Sequence, residues 1–247
     1  MYKKFFKRFF DILISILGLI ISSPILLIVA IAIKLESKGP VIFKQERVGK
    51  HGKVYNMYKF RSMCQGAEQM EGGVYCVKGD KRVTKVGKFI RATSLDELPQ
   101  FVNILKGEMS LIGPRPVLTY YPCKWEEYTK EQLKRFEVRP GVTGWAAVHG
   151  RKTNTIEARF AYDNYYVDNL SFWLDFKTFF LTIKSVFTNE GNEDTGTSEV
   201  KKTENIEQTD VAEEKVNNVA EEKVKDVGEE VVDDTTEQIE QEVKKGV

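Results

Sequence analysis

Between Ile12 and Ile33 the chain carries 22 residues interrupted only by Ser15, Gly18 and Ser22-Ser23-Pro24. A straight helix of that length reaches ~33 Å, enough to cross the hydrocarbon of a bilayer. Pro24 cannot donate to the Ile20 carbonyl and its ring crowds that turn, so the pattern predicts a bend, with Ser22 and Ser23 able to satisfy the freed backbone groups. A cleaved leader is disfavoured, because Lys34-Leu35-Glu36-Ser37 follows the run without a small-residue cleavage site. Basic residues flank both ends, with Lys3, Lys4, Lys7 and Arg8 before the run and Lys34, Lys38, Lys44 and Arg47 after it. Positive charge marks the cytoplasmic side, so the segment reads as a re-entrant helix-break-helix held in one leaflet. The alternative is a Pro-kinked crossing with the body outside.

Beyond Gly39-Pro40 the apolar spacing shortens. Val41-Ile42-Phe43 and Val54 to Phe60 read as two strands around the turn Gly49 to Lys53, a basic hairpin. Lys59 and Arg61 stand two apart, so a strand would turn both to one face, where they could share a phosphate. Gln65 to Gly79, with Gly66, Gly72 and Gly73, reads as a mobile loop. Thr93 to Gln100 leads into Phe101, Val102, Ile104 and Leu105 at helical spacing, with Gly107 as a stop. Ser94 and Glu97 fit a capping box, and Pro99 either opens the helix or bends it. In both cases Asp96 and Glu97 lie near a helix N-terminus, whose dipole favours an ionised carboxylate and attracts phosphoryl groups. Gly113-Pro114-Arg115-Pro116 is a stiff turn presenting one guanidinium, and Tyr121 to Phe136 reads as one amphipathic helix. Arg139 to Trp145 is a turn-rich loop, with Arg151 further on. From Ser171 to Phe187 six apolar side chains (Phe172, Phe176, Phe179, Phe180, Ile183, Phe187) form a stripe opposite Asp175, Thr178, Thr182 and Ser185. The stripe suits a helix in the headgroup layer or a plain core helix equally.

Composition changes this picture in one respect. The net charge of +1 divides into +13 over residues 1–187 and −12 over residues 188–247, and the latter contain no aromatic residue. The tail repeats Val-Ala-Glu-Glu-Lys-Val from Val211 and again from Val219, too poor in bulky apolar groups for a core, so it reads as disordered. A body of +13 suggests an anionic partner: phosphorylated substrate, membrane surface or nucleic acid. Nucleic acid is disfavoured, because the basic residues are dispersed and match no recognised binding module. Three cysteines (Cys64, Cys76, Cys123) and two histidines (His51, His149) indicate neither a disulfide framework nor a zinc site.

Several of these segments recur together in one family. Gly39 to Gly49 (GPVIFKQERVG), Lys59 to Met63 (KFRSM), Thr93 to Gln100 (TSLDELPQ), Lys106 to Pro116 (KGEMSLIGPRP) and Arg139 to Trp145 (RPGVTGW) resemble the monotopic polyprenyl-phosphate phosphoglycosyl transferases among the bacterial sugar transferases, in a short form with anchor and catalytic domain only. The resemblance runs from about Lys7 to Phe187. It implies an α+β, mainly helical chain with a re-entrant membrane anchor (1–38), a small catalytic domain with a short β-hairpin and interfacial amphipathic helices (39–187), and the disordered tail (188–247). It implies transfer of a sugar 1-phosphate from a UDP-sugar to polyprenyl phosphate at the cytoplasmic face of a bacterial cell membrane, with release of UMP, initiating exopolysaccharide, capsule or glycoconjugate assembly. It assigns Asp96 as nucleophile and Glu97 as its dyad partner, the pair holding Mg²⁺. Arg91 is implied as a phosphate clamp, Lys59 and Arg61 as phosphate or metal supports, and Pro114-Arg115-Pro116 as the uridine-diphosphate contact. Asp163 is implied as a late acidic residue assisting the metal or the dyad. A homodimer is compatible with this reading.

After Trp145 the family pattern carries a glutamine and an asparagine where this chain has Ala147 and His149, so sugar contacts there do not transfer. His149 reads as a satisfied loop residue rather than a proton carrier. The competing reading is a non-catalytic membrane adaptor with a basic lipid-binding body and an acidic partner-binding tail.

Overall fold

The computed structural model describes residues 2–70, 73, 79–149 and 155–187. Gly72, Cys76, Gly150, Arg151 and the tail 188–247, with its repeat, lie outside the described residues. Where a break is expected at Pro24, a single helix, α1 (Lys7–Glu36), continues through it. The physical reason is local. The Ser23 hydroxyl donates to the Ile20 carbonyl at 2.8 Å, replacing the bond Pro24 cannot make, and Ser22 bonds Gly18 O at 2.6 Å. Most of the apolar surface of α1 faces outward, including Leu17, Ile20, Ile21, Leu27 and Ile28, and the helix is long and apolar enough to cross a membrane.

One face of α1 docks on the body along its whole length. Near its start, Arg8 donates to the carbonyls of Ile104 and Leu105, at the C-terminal end of α3 (Gln100–Lys106). Buried Asp11 accepts from Ser110 Oγ at 2.8 Å and from the Leu111 amide at 3.1 Å. Gly18 lies flat against the Phe101 ring, where a Cβ would come within 2.8 Å. In its second half Val29 and Ile33 pack with Phe60 and Ile90. At its end the Glu36 carboxylate caps α2 (Lys85–Ala92), taking the amides of Lys85 at 2.7 Å and Val86 at 3.0 Å. Glu36 thus puts an anion on the positive end of α2, and Arg8 a cation on the negative end of α3.

The expected hairpin forms with a longer first strand, β1 (Ile42–Val48) against β2 (Val54–Phe60), in register Ile42↔Phe60 to Val48↔Val54. Its extra residues, Lys44 to Arg47, are polar and give no apolar alternation to read. A parallel pair, β3 (Ser110–Ile112) and β5 (Gly141–Thr143), and a two-residue β4 (Val117–Leu118) on β1 complete the sheets. The expected mobile loop after Gln65 is tied where it is described, since the Arg82 guanidinium takes the carbonyls of Ala67 and Gly73. The single helix expected over Tyr121 to Phe136 is instead broken into 3-10 turns around a short α4 (Lys130–Leu133). Thr129 starts it afresh by capping Gln132, whose side chain bonds back.

The C-terminal described segment contains α5 (Trp145–His149), α6 (Ile156–Asn169) and α7 (Phe172–Phe187). The aromatic stripe of α7 turns outward: Phe172, Trp173, Phe176, Phe179 and Phe180 are exposed, whereas Asp175 and Thr178 are buried. Asp175 explains the orientation, accepting from Tyr166 Oη, Tyr2 Oη and Lys7 Nζ within 3 Å. Phe172 meets Tyr2 and Phe10, so the exposed aromatic surface of α7 continues onto α1. An exposed apolar surface of this extent marks contact with another phase or molecule.

The turn after β3 approaches β5 too closely for any side chain: a Cβ on Gly144 would stand 2.0 Å from Gly113 O. Gly144→Ala is therefore expected to cost about 2 kcal/mol or more, lowering Tm by several degrees in a detergent melt. An unchanged Tm would contradict this packing.

Candidate active site

The two carboxylates sit in the connection between α2 and α3. Ser94 stands in the left-handed region (φ 56°, ψ 17°) without a capping hydrogen bond, so the expected capping box does not form. A non-glycine residue held there is strained, and the chain leaves it in a 3-10 turn, Leu95–Glu97, before Pro99 opens α3. This turn buries Asp96, 9% exposed, and leaves Glu97 nearer the surface. Burial pushes the Asp96 carboxyl up to about 6; Lys59 and Arg91 pull it down and Glu97 pushes it further up. The local reading of an ordinary carboxylate is corrected here. Helix-end proximity is outweighed by loss of water.

Three cations from separate elements converge on this turn or on the space beside it. Lys59, near the end of β2, pairs with Glu97 at 2.7 Å. Arg91, in the last turn of α2, donates through Nε to Ser62 Oγ at 2.9 Å and contributes its charge to Asp96. Arg115 lines the same cavity as Glu97. Its turn is fixed through three successive carbonyls: Pro114 O accepts from the Gly141 amide, Arg115 O from Arg135 Nη2 and Pro116 O from Arg47 Nη1. Arg47 and Arg135 escaped the sequence reading. Both act on backbone oxygens far away in sequence, and no spacing motif signals that. Burial, then repulsion from Arg115, lowers the Arg47 guanidinium to about 10.

Two sequence candidates lie elsewhere. Arg61 does not share a phosphate face with Lys59. It is buried just beyond β2 and donates to the carbonyls of Ser37 and Lys38, closing the end of α1. Asp163, on α6, pairs with Arg135 at 2.6 Å, both 1% exposed, so it buttresses the Arg115 turn from behind. Arg135 also lies over the Phe160 ring at 4.5 Å. Pro114 and Pro116 line a small hollow with Arg135 on that side. His149 Nδ1 meets Trp145 O at 3.0 Å and its ring lies tilted against Trp145, centroids 3.8 Å apart, a satisfied position.

The arrangement combines a buried carboxylate, a second carboxylate beside it and cations able to hold phosphate, which suits nucleophilic attack on a phosphorylated substrate. The raised Asp96 carboxyl also has a stability consequence. A carboxyl raised from 3.8 to about 6 on folding favours the folded chain below pH 4, and that contribution is lost as pH rises through 6. Asp96→Asn should therefore be the more stable protein at pH 8, by on the order of 2 kcal/mol, with the advantage fading towards pH 4. Paired melts across that range measure it; an advantage that grows on acidification would contradict the assignment.

The bacterial sugar transferase family model matches residues 2–189. The chain is 46% identical over 190 residues to a UDP-N-acetylgalactosamine-undecaprenyl-phosphate N-acetylgalactosaminephosphotransferase of Aeromonas hydrophila, covering 76% of this chain and 45% of that protein. It is likewise 46% identical over 190 residues to a UDP-glucose:undecaprenyl-phosphate glucose-1-phosphate transferase of Klebsiella pneumoniae, covering 75% of this chain and 41% of that one. An uncharacterized sugar transferase of Bacillus subtilis is 43% identical over 190 residues, 76% of this chain and 91% of its own length. The match to the first two thus spans under half of their length. With the family model extending over the membrane helix, the hairpin, the carboxylate turn and α7 alike, the chain belongs to the bacterial sugar transferase family.

Proposed function

We propose that this protein transfers a sugar 1-phosphate from a UDP-sugar to polyprenyl phosphate, releasing UMP, and so initiates assembly of a surface polysaccharide or glycoconjugate. One observation carries the reading: Asp96 is buried under the charges of Lys59 and Arg91, with Glu97 and Arg115 on one cavity beside it. An Asp96 carboxylate oxygen attacks the β-phosphorus of the donor. The bond to the UMP oxygen breaks and UMP leaves with the electron pair, so Asp96 carries the phosphosugar as an acyl phosphate. A polyprenyl phosphate oxygen then attacks the same phosphorus and the Asp96 carboxylate departs. Arg91 and Arg115 neutralise phosphate charge during both displacements, while Lys59 orients Glu97. The named activities of the Aeromonas and Klebsiella relatives support the donor and acceptor classes.

Asp96 and Glu97 suit Mg²⁺. They are adjacent hard oxygen donors, and no group of three metal-binding side chains lies among the described residues, in keeping with an ion that takes one or two carboxylates and completes its shell from phosphates and water. When bound, it would supply further neutralisation of phosphate charge.

The same proposal places the body on the cytoplasmic face with α1 in one leaflet. Arg8 and Glu36, at opposite ends of α1, both bind the same body, which supports a seating with both ends on one side of the bilayer. The aromatic face of α7 would then lie among the headgroups.

Solubilised full-length protein, Mg²⁺ and a panel of UDP-sugars test the chemistry through UMP release. Asp96→Asn is expected to lower it on the order of 10³-fold or more, and product should require polyprenyl phosphate. No release with any donor would favour the adaptor reading. For topology, cysteines introduced at Lys3 and Ser198 in a cysteine-free background should both resist an impermeant reagent added to intact cells. Labelling at one end alone would require a crossing helix.

A further inference from the structure

A cavity of about 140 Å³ lies between the Ser94–Leu98 turn, α3, β5, α5 and the inward face of α7. We propose that it takes the sugar ring of the donor, and that Thr143 and Thr182 select that sugar by accepting hydrogen bonds from its hydroxyl or amide N–H groups. This deepens the UDP-sugar reading and rests on it.

The proton inventory of the two threonines carries the argument. Thr182 Oγ1 donates to Thr178 O at 2.8 Å, which uses its only proton. The 2.8 Å contact between Thr143 Oγ1 and Thr182 Oγ1 must therefore use the proton of Thr143. Both hydroxyls are left with lone pairs only and ask for a ligand that donates. A phosphate brings acceptors and negative charge, so it finds nothing to bind at this wall. An isoprenyl chain would bury the lone pairs unpaired. A sugar brings several O–H donors, and an acetamido sugar adds an N–H.

The rest of the lining agrees. Phe101, Val142, Ala147 and Val148 form an apolar wall suited to the C–H face of a pyranose. The volume admits roughly ten water-sized groups, comparable to one substituted pyranose. Glu97 and Arg115 open onto the same cavity, so a sugar seated there adjoins the groups expected to hold its phosphates. Ala147 stands where a longer side chain would fill the space. Thr182 hangs from the helix whose other face is the exposed aromatic stripe, which places sugar selection on an element that also contacts the membrane in the proposed seating.

The test uses solubilised full-length protein with Mg²⁺, measuring UMP release from UDP-glucose, UDP-galactose and their N-acetylated counterparts. Thr143→Val and Thr182→Val keep the side-chain shape and remove the hydroxyl. Each is expected to lower kcat/KM for the preferred donor about tenfold and to narrow its lead over the other donors, with inhibition by UMP unchanged. Retained preference in both variants overturns the proposal, as does an equal loss for every donor together with weaker UMP inhibition, which would make the cavity part of the nucleotide site. Should a valine variant fail to fold, as judged by its melt, Ala147→Leu fills the cavity from the opposite wall. It should impair the preferred donor while leaving UMP inhibition intact, and undiminished turnover overturns the proposal. Wild-type protein that releases UMP from no UDP-sugar would instead bring down the parent reading, and the subsite with it.

Discussion

A carboxylate that must remain charged after losing most of its water is the constraint around which this fold is arranged. The turn from Ser94 to Glu97 folds Asp96 inward, and burial pushes its carboxyl up. Lys59 from β2 and Arg91 from α2 hold it near the neutral range instead. Lys59 is distant in the chain, and Arg91 comes from the helix just before the turn. The hairpin and α2 must each dock correctly to offset the loss of water around the carboxylate, so the integrity of the site is coupled to the packing of the domain.

The membrane helix enforces that docking. Glu36 grips the first amides of α2, and Arg8 grips the last carbonyls of α3, the helices on either side of the carboxylate turn. Between these grips Gly18 admits the Phe101 ring, and Val29 and Ile33 join the core at Ile90. The apolar segment thus forms one wall of the scaffold around the carboxylate turn. A second brace lies behind the Arg115 turn, where Asp163 steadies Arg135 and Arg135 holds Arg115 O.

Much of this was legible in the sequence. Two short β-rich runs around a glycine-containing turn disclosed the hairpin, and period-three-to-four spacing disclosed α7, whose polar side proved to be the buried one because Asp175 gathers three donors. The order of short motifs disclosed the family. What escaped was long-range or depended on one torsion angle. Arg47 and Arg135 bind backbone oxygens 69 and 20 residues away, which leave no mark in composition. Arg61 looked like a phosphate ligand by strand alternation and instead closes a helix end. The Ser94 capping box failed because Ser94 is left-handed, and α1 runs on through Pro24 with the Ser23 hydroxyl on the Ile20 carbonyl. The proton affinity of Asp96 could not be inferred from its neighbours in sequence, since burial is a property of the assembled domain.

The central claim is a covalent phosphosugar on the carboxylate of Asp96. It is tested most directly by mixing the protein with its donor and Mg²⁺ in the absence of polyprenyl phosphate, quenching in acid and mapping the peptides by mass spectrometry. The account predicts a sugar-phosphate mass increment on the peptide containing Asp96, discharged when polyprenyl phosphate is added before the quench. Donor turnover with no increment on that peptide, and an Asp96→Asn protein that turns over as fast as the wild type, would contradict it.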